Sequence, residues 1–110
     1  MNEKAEGHDD CEPDQPVPRD GAIIRVFAIC NKRGLHARAS AKFVQTVEKF
    51  EADVRVMRCG ETVGGTSIMG LMMLAAAPGT TITVEATGKE AAEVMEALAG
   101  LIDGRFGEDE

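Results

Sequence analysis

One histidine and one arginine lie where the sequence predicts that a loop becomes a helix. His36 and Arg38 belong to the segment Gly-Leu-His-Ala-Arg-Ala at residues 34–39. A neutral imidazole is nucleophilic near pH 7, and an arginine is a permanently charged, forked donor that suits phosphate oxygens. Free amide N–H groups at a helix N-terminus also stabilise an anion, and Gly34 permits a tight backbone path before them. These residue types predict phosphate chemistry at His36.

Two simpler interpretations of His36 stay open at this point. A histidine near an arginine is often a solvated loop pair, and a polar residue at a helix start is often only a cap. Other chemistry has less support, because the sequence contains neither a Gly-rich P-loop nor a Ser-His-Asp set in a readable order. A small hydrolase that uses His36 as its base would lack a nucleophile, an orienting acid and a deep cleft.

Runs of alternating or β-branched residues predict the strands that support this segment. Four such runs are separated by turn residues, and Cys59-Gly60 is a candidate for a tight hairpin turn. Pro78-Gly79 predicts a further turn before the last run. The predicted strands cover residues 22–29, 53–58, 61–64 and 81–87.

Apolar residues at helical spacing predict three helices. The first begins at Ala37 and places Phe43, Val44, Val47 and Phe50 on one face. The second covers residues 68–74 and takes Thr66 or Ser67 as its cap. The third covers residues 89–103 and ends at Gly104.

The order of elements is therefore β-α-β-β-α-β-α, which predicts an α+β fold. Amphipathic helices and alternating strands favour two layers, with the helices packed on one face of a four-stranded antiparallel sheet.

Charge and composition limit the partners, the domain boundaries and the cellular compartment that the chain can have. The net charge is −7, and residues 1–20 alone hold seven acids and only two bases. Nucleic acid is therefore a poor partner, and we expect no strongly charged binding surface on the domain. We predict a disordered acidic tail at residues 1–20, one domain at residues 21–106 and an acidic, mobile tail at residues 107–110. The chain lacks a secretory h-region and a stretch of membrane-spanning length, so we expect a cytoplasmic protein without a membrane segment.

Metal binding is not expected. His8, Asp9, Asp10 and Cys11 carry side chains that bind metals, but they lie in the predicted tail, which offers no rigid scaffold.

Two ordered motifs resemble those of a known family. Gly-Leu-His-Ala-Arg at residues 34–38 is similar to the active-site signature of HPr, the phosphocarrier of the phosphoenolpyruvate-dependent phosphotransferase system. Ser-Ile-Met-Gly at residues 67–70 resembles the regulatory-serine motif of that family, and the interval between the two motifs also matches. With Pro78-Gly79 and the terminal amphipathic helix, the resemblance covers residues 22–106.

The resemblance implies a fold and a reaction. The fold would be an open-faced β-sandwich with three helices on one side. His36 would accept a phosphoryl group through Nδ1 from phospho-Enzyme I and pass it to an EIIA-type acceptor. The amides of Ala37 and Arg38, with the Arg38 side chain, would hold the phosphoryl oxygens. The chain would need no cofactor and would act as a monomer, in the carbohydrate branch or in the nitrogen branch, NPr.

A second site is implied at the start of the second helix. Ser67 would be modified by an HPr kinase/phosphorylase, although its role as a helix cap alone would explain the residue type. The helix after it is unusually apolar, so we expect Ile68, Met69 and Met72, with Ala41 of the first helix, to form a docking surface for partners. An alternative function is a regulatory binding module that controls partner proteins and transfers little phosphate.

Three features depart from the family pattern. Ala39 stands where the family usually has proline, and we expect the helix to start normally there because alanine is a good helix former. Gln45 and Glu48 occupy positions where many relatives carry lysine. The acidic end of the chain is more like that of the NPr branch.

Overall fold

The computed structural model describes residues 21–108, and the order of its elements is the predicted one. The predictions for residues 1–20, including the side chains from His8 to Cys11, and for residues 109–110 lie outside this range. Four strands and three helices are present: β1 Ile23–Ala28, α1 Ala37–Val47, β2 Asp53–Arg58, β3 Glu61–Gly64, α2 Ile68–Met73, β4 Thr81–Thr87 and α3 Ala91–Asp103, followed by a short turn at Arg105–Gly107.

The four strands form one antiparallel sheet in the order β1-β4-β2-β3. In the register of β4, one of the two inner strands, Ile82 pairs with Phe27 and Val84 with Val56. All four of these side chains are buried. The alternation that predicted the strands therefore directs one face of the sheet into the core.

The hairpin between β2 and β3 confirms the predicted tight turn. Arg58 pairs with Glu61, so that only Cys59 and Gly60 lie between the strands. Their φ values of 53° and 80° are both positive, which is the pattern of a type I′ turn, whose twist matches that of the strands it joins.

The helices pack on one face of the sheet, which confirms the α+β open-faced sandwich. Helix α1 contacts both α2 and α3, while α3 lies over β1 and β4. The core is built mainly from aliphatic side chains and a few aromatic ones; its fully buried members include Phe43, Phe106, Leu71, Leu98, Ile82 and Ile102. Within residues 21–108, no helix is long and apolar enough to cross a membrane.

Three predicted helix boundaries differ from the structure. Helix α2 ends at Met73, one residue earlier than predicted. Helix α1 ends at Val47, and Phe50 follows in a tighter turn in which the Phe50 amide donates to the Val47 carbonyl; its side chain still packs against the core. Helix α3 begins at Ala91, two residues later than predicted. Glu90 does not join the helix because its amide donates to the Glu51 carbonyl and its carboxylate accepts from the Glu51 amide.

Candidate functional site around His36

The His36 ring lies at the N-terminus of α1 without serving as its cap. His36 is the N-cap residue with an extended backbone (φ −79°, ψ −176°), and its carbonyl accepts from the Ser40 amide at 2.8 Å. Its side chain makes no capping hydrogen bond. The imidazole is therefore available for other contacts.

Backbone contacts to the segment before β4 hold the loop that carries His36. The Leu35 amide donates to the Ala76 carbonyl at 3.0 Å. Residue Ile29 exchanges hydrogen bonds with this segment in both directions, since its amide donates to Thr80 and its carbonyl accepts from Gly79, each at 2.9 Å. Because Leu35 is also buried in the core, the backbone on the N-terminal side of His36 is fixed on the scaffold.

The first amides of α1 are open to a ligand. Within residues 21–108, the N–H groups of Ala37 and Arg38 donate to no backbone carbonyl, as expected for the first turn of a helix. Both residues are exposed. These donors and the positive end of the helix dipole are arranged to stabilise an anion beside His36.

The Glu108 carboxylate, which the sequence did not predict as part of the site, contacts one nitrogen of the His36 ring. Glu108 Oε2 lies 2.5 Å from His36 Nε2, and its Oε1 accepts from Asn31 Nδ2 at 3.2 Å. The side chains of His36 and Glu108 are only 23% and 18% exposed. The hydrogen bond from His36 lowers the pKa of the Glu108 carboxyl from its usual value; burial opposes this shift, while Asn31 and the positive charge of Arg33 add to it.

A left-handed turn brings Glu108 to this position. Arg105 and Phe106 both have φ of 56°, and Gly107 has φ of 77°. Positive φ is unfavourable for residues other than glycine, but here it directs the Phe106 ring into the core, where it is fully buried. Lys42 of α1 then donates from Nζ to the Phe106 carbonyl at 2.6 Å. The chain therefore folds back against α1 at the position where we expected a mobile tail to begin.

Four positively charged side chains lie beside the His36 ring. An open cavity of about 700 Å³ beside His36 is lined by Glu108 and Gly107 together with four cations, Lys32, Arg33, Arg38 and Lys42. The expectation that the domain has no strongly charged binding surface is therefore wrong at this site. The overall charge balance concealed it because α1 and the preceding loop bring together cations from four separate positions.

The second predicted site is also ordered. Ser67 Oγ accepts from the Gly70 amide at 3.0 Å, so Ser67, and not Thr66, caps α2. On this helix Ile68, Met69 and Met72 are exposed, while Leu71 is fully buried. Ala41 is half-buried on α1, which packs against α2.

The structure adds one residue to this apolar surface. Met73 is 73% exposed, even more than Met69 at 68%. Exposed, flexible methionines are unusual on a small domain and are typical of surfaces that bind other proteins.

The comparison with known families agrees with this geometry. The family model described as the PTS HPr component phosphorylation site matches residues 23–103. The chain belongs to the HPr family. Over residues 23–103 it is therefore similar to the phosphocarrier proteins of the phosphotransferase system.

Individual relatives of the HPr family cover most of the chain. Phosphocarrier protein HPr of Neisseria meningitidis is 57% identical over 82 residues, which are 74% of this chain and 92% of the relative. The HPr of Cupriavidus necator is 52% identical over 88 residues, which are 80% of this chain and 99% of the relative. Phosphocarrier protein NPr of Shewanella violacea is 36% identical over 86 residues, 78% of this chain and 94% of the relative.

Solved structures of HPr share the fold. HPr-C-His from Thermoanaerobacter tengcongensis superimposes with a TM-score of 0.76 at 39% identity, covering 80% of this chain and 99% of that one. HPr from Bacillus anthracis gives a TM-score of 0.70 at 40% identity, covering 74% of this chain and 96% of that one.

The departures from the HPr pattern leave the helix intact. Helix α1 starts at Ala37 as expected, and Ala39, in place of the usual proline, is fully buried. Gln45 and Glu48 are exposed, so they change the charge of the α1 surface without affecting the core.

Proposed function

We propose that His36 accepts a phosphoryl group from phospho-Enzyme I and passes it to an EIIA-type acceptor. The observation that carries this proposal is the position of the ring. It lies at the start of α1 beside the open amides of Ala37 and Arg38, in a cavity lined by four cations. A doubly charged phosphoryl group would be held there by donors that are already in place.

The reaction needs one nucleophilic nitrogen and a mobile phosphoryl group. When the phosphoryl group is accepted, the lone pair of His36 Nδ1 attacks phosphorus and the N–P bond forms. The bond from phosphorus to the donor breaks at the same time, and its electron pair returns to the donor. In donation, an acceptor group attacks phosphorus and the N–P pair returns to Nδ1. Arg38 stabilises the charge on the phosphoryl oxygens in both directions, and no cofactor in this chain takes part.

We propose that α2 provides the partner surface, formed by Ile68, Met69, Met72 and Met73 with Ala41. The four α2 side chains are exposed apolar groups on a helix packed against α1, so a partner bound there lies beside the helix that carries His36. A carrier must visit a donor and an acceptor, and adaptable methionines suit successive weak contacts. Met69→Ser is expected to raise the KM for this protein as a substrate of Enzyme I, whereas Val26→Ser, at an exposed apolar residue on β1, is expected to leave KM unchanged.

We also propose that phosphorylation of Ser67 by an HPr kinase/phosphorylase regulates this surface. The Oγ of Ser67 lies at the N-terminus of α2, immediately before Ile68 and Met69. A phosphate there is tolerated by the helix but places about two negative charges next to an apolar docking surface. Partner choice would then change without unfolding of the domain.

The proposed working unit is a monomer in the cytoplasm, where phosphoenolpyruvate is available to Enzyme I.

Intact-mass spectrometry with phosphoenolpyruvate and Enzyme I from the same organism tests the transfer function. The wild-type chain should gain one phosphoryl group that is labile in acid and stable in base. His36→Ala should abolish the adduct. His8→Gln, which removes the second of the two histidines, and Ser67→Ala should both retain it. No adduct on the wild-type chain would favour the alternative, a regulatory binding module with little transfer role.

A further inference from the structure

The carboxylate of Glu108 is fixed at both oxygens. Oε2 contacts His36 Nε2 at 2.5 Å, and Oε1 accepts from Asn31 Nδ2 at 3.2 Å. Asn31 is fully buried, and its Nδ2 also donates to the Gly34 carbonyl at 2.9 Å. Because both partners of Nδ2 are acceptors, the orientation of the Asn31 amide is determined. A rigid chain of contacts therefore joins the loop backbone to the imidazole.

This contact selects one tautomer of the ring. An ionised carboxylate can only accept a hydrogen bond, so the hydrogen must lie on Nε2. In the neutral ring, Nδ1 then carries the lone pair. We propose that Glu108 is a positioning residue for His36, which holds the proton on Nε2 and so directs the phosphoryl group to Nδ1. This inference deepens the proposed function and rests on it.

The same contact stabilises the charge that develops in the reaction. When the Nδ1–P bond forms while Nε2 keeps its proton, the ring becomes an N-phosphoryl imidazolium with a positive charge. A carboxylate 2.5 Å from Nε2 stabilises that cation, as a buried carboxylate does for the histidine of a hydrolase triad. In donation the N–P pair returns to Nδ1 and the proton stays on Nε2, so neither step requires a proton to be exchanged with water.

Other charged groups near the ring do not replace Glu108. Lys32, Arg33, Arg38 and Lys42 line the same cavity, and these cations disfavour a positively charged ring. Among the residues that line the cavity, Glu108 is the acid, and Lys42 fixes its approach through the Phe106 carbonyl. Removal of the carboxylate should therefore slow transfer even though the cations that hold phosphate remain.

The substitution Glu108→Gln tests this inference, with Asp103→Asn as the matched control. Asp103 is an exposed acid at the end of α3. In a His8→Gln background, which leaves a single imidazole, ¹⁵N NMR should report a protonated Nε2 and an unprotonated Nδ1. Glu108→Gln should shift the ring toward the other tautomer, because the amide can also donate to Nε2. Asp103→Asn should not change the spectrum.

Transfer kinetics complete the test. Glu108→Gln should lower kcat/KM for phosphoryl acceptance from phospho-Enzyme I about tenfold to a hundredfold, with kcat falling and KM little changed. If the wild-type chain is phosphorylated at His36 but Glu108→Gln shows the same tautomer and the same kcat, the inference is wrong and the proposed function stands. If the wild-type chain accepts no phosphoryl group at His36, both are wrong.

Discussion

Gly34 lies so close to Ala76 that no side chain fits between them. A Cβ atom built on Gly34 would be 2.3 Å from the Ala76 carbonyl oxygen, and the φ of Gly34 is 66°. The same oxygen accepts the amide of Leu35, the residue before His36. This close approach therefore places the loop that carries His36 against the segment that leads to β4.

Gly34→Ala is expected to destabilise the domain by about 2 kcal/mol or more, because the left-handed backbone costs about 1–2 kcal/mol and the clash with Ala76 adds to it. The matched control is Gly60→Ala, where φ is 80° and no atom of residues 21–108 outside its chain neighbours lies within 4 Å of the added Cβ. Urea unfolding of both variants measures the difference. Equal losses of stability would show that the contact with Ala76 does not constrain the loop.

Arg38→Ala is expected to slow phosphoryl acceptance about tenfold to a hundredfold. A hydrogen bond to a charged group contributes about 1.5–3 kcal/mol, and about 1.4 kcal/mol corresponds to a tenfold change in rate. Arg38→Lys should recover part of the loss, since it keeps the charge but not the forked geometry. Rapid-quench kinetics with phospho-Enzyme I measure these rates. Arg55→Ala, an exposed arginine on β2, serves as the control, and an equal rate loss there would contradict a specific role for Arg38.

Substitutions of Ser67 separate its capping role from its proposed regulatory role. Ser67→Ala removes the acceptor for the Gly70 amide and should cost about 1 kcal/mol of stability. Ser67→Asp keeps a good cap, so the stability should stay near that of the wild type. It also adds negative charge beside Met69, so the KM for this protein as a substrate of Enzyme I should rise. Thermal unfolding and transfer kinetics measure the two effects. A Ser67→Asp variant that is fully stable and transfers with an unchanged KM would argue against regulation at this site.

Acid should release the Glu108 contact. The pKa of this carboxyl is lowered from 4.5 in the folded protein, first by the hydrogen bond from His36. Its contribution to stability is therefore fully present above pH 4.5 and is lost as pH falls through the lower, folded-state pKa. The stabilisation of the wild type relative to Glu108→Gln should be present at about pH 5 and should fall toward zero as pH drops from 4.5 through the folded-state pKa of Glu108. A difference that stays undiminished well below pH 4.5 would contradict the contact.

The sequence predicted the features that depend on local patterns. Strand alternation, the two-residue hairpin at Cys59-Gly60, a cap for α2 at Thr66 or Ser67 and the position of His36 at a helix start all follow from neighbouring residues. Glu108 could not be found in this way, because its contact with His36 spans 72 positions and depends on a left-handed turn at Arg105 and Phe106. The one available signal was Phe106, a single aromatic residue after the end of α3 that needs a place in the core.

The positive cavity was missed for a related reason. A sum of charges along the chain does not show which of them converge, and here Lys32, Arg33, Arg38 and Lys42 meet beside His36 within an acidic protein. The exposure of Met73 was likewise not predicted, since an apolar helix alone does not indicate which of its faces remains uncovered.

The position of the phosphoryl group on the ring tests the central claim most directly. The ¹⁵N-labelled protein, phosphorylated by Enzyme I and phosphoenolpyruvate, can be examined by NMR for coupling between phosphorus and each imidazole nitrogen of His36. We predict coupling to Nδ1 and a proton on Nε2, in the wild type and in His8→Gln. Coupling to Nε2, or a phosphoryl group on any residue other than His36, would contradict this account.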